Sequence, residues 1–230
     1  MRSIKVWMVC AAVVLIAITS YGSIPHVLYG KRIAGQVVDA GTGQPINGAH
    51  VAFLWESDIT PHSFTAHNSR TICYHAAAAV TNEQGYFEIA PWREWSTYGV
   101  EPVDPVALVY VRGYTPRQIA VGDGSTDRPT NHVDQRYALK KFEGTVGERI
   151  EGIFQTVVRR DCRYGKDSQK SLYPMMKAVH GEARQIASSE IHRSTVSTIA
   201  LIAAKAAIAL DPTGAGDDEA VRAFIESNLK

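Results

Sequence analysis

Ile33-Ala34-Gly35-Gln36-Val37-Val38-Asp39-Ala40-Gly41-Thr42-Gly43-Gln44-Pro45-Ile46-Asn47-Gly48-Ala49-His50-Val51 encodes a strand, a densely punctuated turn and the start of a second strand. Ile33, Gly35 and Val37 share one face of an extended segment, as do Val51, Phe53 and Trp55 on the next, so two half-buried strands are expected. Between them Gly41 and Gly43 are free to adopt positive φ, Pro45 fixes its own φ, and Asn47-Gly48 is a strong turn pair.

Outward from this hairpin, Thr81-Asn82-Glu83-Gln84-Gly85 is a polar turn feeding a short strand at 86–89. Further extended segments lie at 72–80, 106–112, 117–121 and 133–139, which brings the strands to seven. Polar, aperiodic stretches at 56–70 and 121–132 read as loops. From Thr145 the apolar period becomes helical: Thr145 and Glu148 fit a capping box, and Ile150, Ile153, Phe154 and Val157 recur on one face. A second helix is expected at 171–188, with Pro174 in its first turn and Leu172, Met175, Met176, Val179, Ala183 and Ile186 along one side. A third follows at 190–210 and a fourth at 217–228. The apolar stretch 199–208 is short and interrupted by Lys205, which suits a packed helix rather than a membrane span. Strands followed by helices make the class α+β.

Gly35, Asp39, Thr42-Gly43, Pro45-Ile46, Gly48-Ala49, Val51, Thr81, Gly85 and Phe87 together resemble the carboxypeptidase regulatory-like family, over roughly residues 31–142. Arg112-Gly113-Tyr114 also looks like that family's Gly-Tyr turn. The resemblance implies a prealbumin-like (transthyretin-like), seven-stranded Greek-key β-sandwich, followed here by a helical extension at 145–230. It implies an accessory role rather than an activity, since members of the family are appended to other envelope proteins and a fold does not fix chemistry.

Arg2 and Lys5 precede the apolar run 6–18, a basic n-region followed by an h-region of signal-peptide length. Ser20 and Gly22 place small residues before a cleavage point, so residues 1–22 are expected to be a signal peptide. The alternative is an uncleaved anchor reaching about residue 30, since 6–30 carries no Lys, Arg, Asp or Glu. Either way the body is expected in the periplasm or outside the cell, and a membrane is met only through this segment. Cys10 lacks the setting of a lipoprotein cysteine. Without residues 1–22 the chain holds 22 basic and 23 acidic residues, a balance that gives no reason to expect nucleic acid as a partner. The two remaining cysteines, Cys73 and Cys162, are an even count in an oxidising compartment, which predicts a disulfide joining strands to helices. Two free buried thiols are the alternative.

No catalytic constellation accompanies these features. His180 and Glu182 are two apart, and on a helix such positions diverge by about 200°, too far to share one zinc ion, so both are expected at the solvent. His62, His67 and His75 gather around the first long loop without a ligand signature, and Asp104, Asp123, Asp127 and Asp134 lack calcium-loop spacing. Gly122-Asp123-Gly124 precedes no helix and reads as a turn. The richest candidate surface is Trp92, Arg93, Trp95 and Tyr98 on an expected loop, three rings and a guanidinium suited to a sugar or a protein partner. No cofactor or metal is expected. The chain therefore reads as a non-catalytic accessory module of the bacterial envelope, with an envelope protein or glycan as partner. The alternatives are a carbohydrate- or peptidoglycan-binding protein, and a metal-dependent hydrolase assembled from His62, His67, His75 or Glu182.

Overall fold

The computed structural model describes residues 26–59, 70–96, 105–120, 135–158, 166–187 and 190–208. Within them run β1 (His26–Gly30), β2 (Ile33–Asp39), β3 (His50–Ile59), β4 (Arg70–Val80), β5 (Tyr86–Ile89), β6 (Trp92–Ser96), β7 (Val106–Tyr110), β8 (Arg117–Ala120) and β9 (Gln135–Leu139). Helix α1 (Val146–Ile153) passes into a π-helical turn (Phe154–Val158), and α2 (Lys166–Ile186) and α3 (Glu190–Ile208) follow. Residues 1–22, Tyr98, His62, His67, Cys162, the four loop aspartates and the fourth helix lie outside the described residues.

The strands form three separate, unclosed sheets, ordered β1-β6, β5-β2-β9 and β4-β3-β7-β8. All pairings are antiparallel except β2 with β9. This overturns the expected seven-stranded, prealbumin-like Greek-key sandwich: the fold is α+β with sheets of two, three and four strands and three C-terminal helices. All seven expected strands are present, but β1 and β6 join them, and the expected loop at 56–70 is shortened by β3 running on to Ile59.

The four-stranded sheet is buried on both faces, which is the physical reason for the departure. Val51, Phe53 and Trp55 of β3 pack with Ile33, Val37, Phe87, Ile89, Tyr137 and Leu139 of the three-stranded sheet. Their neighbours Ala52 and Leu54 pack instead with Leu172, Met175, Met176 and Val179 of α2 and with Ile199 and Ala203 of α3. Every residue from Val51 to Trp55 is thus buried, not alternate ones, as a run apolar at each position requires of a doubly covered strand. Strand β4 would be a bare edge, but α2 satisfies it: the Ala76 N–H donates to Ser168 Oγ at 2.8 Å, and Ser171 Oγ donates to the Ala76 carbonyl at 2.9 Å.

The hairpin expected between 33 and 51 does not form, because β2 and β3 belong to different sheets, and the connection between them is held by its polar residues. Asp39 Oδ1 accepts from the N–H groups of Gly41 and Thr42, each at 2.8 Å, while Oδ2 accepts from Tyr114 OH at 2.9 Å. Gly43, not Gly41, takes the positive φ. Thr81 OH donates to the Ile46 carbonyl and accepts from the Ala49 N–H, at 2.7 and 2.8 Å. Thr145 caps α1 in the expected box. Helix α2 starts at Lys166, so Pro174 lies in its interior, exposed, rather than in its first turn.

Candidate functional site

Strands β1 and β6 continue β2 and β5 without a change of register. Ile33 opposes Ile89, and beyond the interruption at 31–32 and 90–91 Gly30 opposes Trp92 and His26 opposes Ser96. The buried face changes at that point. In β2 and β5 the odd-numbered Ile33, Val37, Phe87 and Ile89 face the core, whereas in the ribbon Leu28, Gly30 and Trp92 face inward. Pro91, which has no N–H to give the ladder, sits at the interruption.

The inner face of the ribbon rests on a β-bulge. Trp55 opposes His75 but Glu56 opposes Cys73, so Tyr74 is the extra residue. The bulge turns two successive rings toward Trp92: Tyr74 with centroids 6.2 Å apart, and His75 stacked on the indole at 3.8 Å and 16°. Trp55 meets both edge-on, at 5.2 Å from His75 and 5.1 Å from Trp92. His75 Nδ1 pairs with Glu94 Oε1 at 2.8 Å. Trp92 lies folded over Gly30, where an added Cβ would come within 1.9 Å of its Nε1. That indole nitrogen is buried with no hydrogen-bond acceptor among the described residues.

The outer face presents two opposed pairs, Val27 with Trp95 and Tyr29 with Arg93. Trp95 is 73% exposed and Tyr29 55%. Strand geometry places such diagonal neighbours about 7–8 Å apart, close enough for the two rings and the guanidinium to meet one ligand. Arg93 is exposed and forms no ion pair among the described residues, unlike Arg32, which clasps Glu88 through two bonds of 2.6 and 2.7 Å near the interruption.

Of the residues expected to bind, the structure places Trp92, Arg93 and Trp95 on a strand rather than a loop, and separates them. Trp92 is structural, Arg93 and Trp95 face solvent, and Tyr98 lies outside the described residues. Tyr29 and Val27 were hidden by the charge-free apolar stretch before Lys31, where a membrane reading competed with the alternation of Val27-Leu28-Tyr29.

Of the hydrolase residues, His62 and His67 lie outside the described residues, while His75 stacks on Trp92 and Glu182 pairs with Arg149. Among the described residues no group of three His, Cys, Asp or Glu is placed to hold a metal ion. His180 and Glu182 are both buried, contrary to the expected solvent-facing helix. Glu182 Oε1 and Oε2 take the Arg149 guanidinium at 3.0 and 2.8 Å, Tyr110 OH donates to Oε2 at 2.6 Å, and the Gly113 N–H donates to Oε1 at 3.3 Å. Burial raises this carboxyl, and the Arg149 and Tyr110 bonds outweigh it and hold the group below its ordinary value. The same burial and the Glu182 charge push the Tyr110 phenol far up. Burial, with Arg184 nearby, lowers His180. Cys73 of β4 is in disulfide-bonded form, and the expected pairing with Cys162 lies outside the described residues.

No protein-family model and no curated protein matches this chain; the three separate, open sheets are not the closed prealbumin-like sandwich of the carboxypeptidase regulatory-like family, so that resemblance does not hold. Solved structures similar to it include 3-chlorocatechol 1,2-dioxygenase from Rhodococcus opacus 1CP, at 15% identity and a TM-score of 0.28, covering 52% of this chain and 62% of that one. A 9R-lipoxygenase from Cyanothece PCC8801 follows at 16% and 0.29, covering 68% and 24%, and catechol 1,2-dioxygenase from Pseudomonas arvilla C-1 at 16% and 0.25, covering 53% and 54%. The chain thus spans less than two thirds of each. All three are enzymes by name, whereas the sequence reading expected a non-catalytic accessory module. TM-scores this low transfer no activity to this chain.

Proposed function

We propose that this chain binds carbohydrate outside the cytoplasm, on the outer face of the β1–β6 ribbon. Trp95 and Tyr29 are the stacking rings, and Arg93 beside them supplies hydrogen-bond donors to hydroxyl or acyl oxygens. The observation that carries this reading is the exposure of a whole Trp side chain, 73%, on the same face as a half-exposed Tyr, where packing gives neither ring a reason to be. The basic and apolar N-terminus supports export, and removal of residues 1–22 would leave β1 whole. The near-neutral charge favours a stacked ligand over a polyanionic nucleic acid.

Sedimentation with isolated sacculi and titration with soluble polysaccharides test the reading. Trp95→Ala and Tyr29→Ala are each expected to weaken binding about tenfold, the scale of an interface hot spot. Tyr86, 54% exposed on β5, serves as the control ring, and Tyr86→Ala should bind as the unaltered chain does. Equal binding by all four proteins, or none by any, refutes the assignment.

A further inference from the structure

We infer that the ribbon selects acidic glycans, with Arg93 receiving a sugar carboxylate between the two exposed rings; this rests on the carbohydrate-binding reading above. The outer face holds Val27, Tyr29, Arg93 and Trp95, that is, one cation and no carboxylate. Among the described residues beside the ribbon, Glu94 projects to the inner face and pairs with His75 at 2.8 Å, and Glu88 is clasped by Arg32. Arg93 has no ion pair among the described residues, although an Arg offers five donors in a planar fork that matches a carboxylate in two parallel bonds. Its cross-strand partner is Tyr29, and Trp95 lies two residues along β6 on the same face, so the fork emerges beside two aromatic surfaces. A sugar ring lying on either one brings an equatorial substituent to the guanidinium. A neutral hydroxyl there would use one donor; a carboxylate uses two and neutralises the charge.

The docked inner face keeps this geometry rigid. Trp92 is locked against His75, Tyr74 and Trp55, and it alternates with Arg93 along β6, so the strand that carries the fork does not need to be ordered by the ligand.

The experiment uses the full chain with polygalacturonate and with the same polymer fully methyl-esterified, which keeps the backbone and removes the charge. The acidic polymer should bind roughly tenfold or more tightly, the preference should shrink as salt rises, and Arg93→Gln should abolish the preference, weakening binding to the acid far more than to the ester. Arg93→Lys should restore only part of it, because an ammonium cannot make the two-bond contact. Equal binding of acid and ester by the unaltered chain, with Trp95→Ala still weakening both, overturns the acidic selectivity and leaves the carbohydrate reading intact. Absence of binding to either polymer and to sacculi overturns both. An Arg93→Gln protein that keeps the acid preference shows that another cation supplies it and removes the assignment to Arg93.

Discussion

Arg149 and Glu182 are 4% and 6% exposed, and between them they tie α1, α2, the end of β7 and the 111–114 turn through six hydrogen bonds or more. Such a pair is worth little against a well-packed apolar substitute, but losing one partner strands the other charge in the interior. Glu182→Gln should therefore destabilise the protein by about 3–5 kcal/mol in urea unfolding. The pH dependence has a definite sign. Because the carboxyl is held below its ordinary value of 4.5 when folded, its contribution is present above that pH and is lost as pH falls through the lower, folded value. The Gln variant should show a shallower acid limb; an unchanged limb would assign acid unfolding to other carboxylates. The sequence showed this pair poorly. Helix spacing states how far His180 and Glu182 diverge, yet nothing local to Glu182 announces a cation 33 residues away. Asp39 was legible because its Oδ1 bonds within its own turn, whereas Thr81 finds its partners Ile46 and Ala49 35 and 32 residues away.

At the scale of elements, the β1–β6 ribbon depends on one side chain more than on its ladder, since a two-stranded hairpin is marginal in water by itself. Trp92 supplies the contact to Leu28, Tyr74, His75 and Trp55 and covers Gly30. Trp92→Ala should raise amide exchange at 26–30 and 92–96 by at least about tenfold, as a loss of roughly 1.4 kcal/mol of docking energy requires, while β3 and β7 stay protected. Uniform loss of protection over the whole chain would show instead that the ribbon is part of the cooperative core. The split of Trp92 from Trp95 could not be read from alternation carried along 86–95. That period, continued from Phe87 and Ile89, would bury Trp95 and expose Trp92, and the reversal happens at Ala90-Pro91, where the ladder is interrupted. The helices were more legible, because Thr145 and Glu148 cap locally and the apolar stripe of α2 repeats at the helical period.

For the whole molecule, the four-stranded sheet cannot shed either cover. A chain ending at Phe142 would expose Ala52, Leu54, Leu108 and Tyr110, which now meet α2 and α3, together with the β4 edge that Ser168 and Ser171 satisfy. It should fail to fold as a monomer and aggregate, visible by light scattering and by loss of near-ultraviolet circular dichroism. A soluble, cooperatively unfolding product would show that 145–230 is an independent extension. Sequence alone determined the seven strands, the local turn bonds of Asp39, the α1 cap and the helical character of 146–153, 166–186 and 190–208, because each follows from residues within one turn or one period of each other. Tertiary structure decided the rest: which faces of β3 are covered, how the strands divide among three open sheets, which aromatic residues of β6 are core and which are surface, and where Glu182 finds its cation. Those depend on contacts between segments tens of residues apart, and two-residue alternation states that a strand has two sides without stating what each side meets.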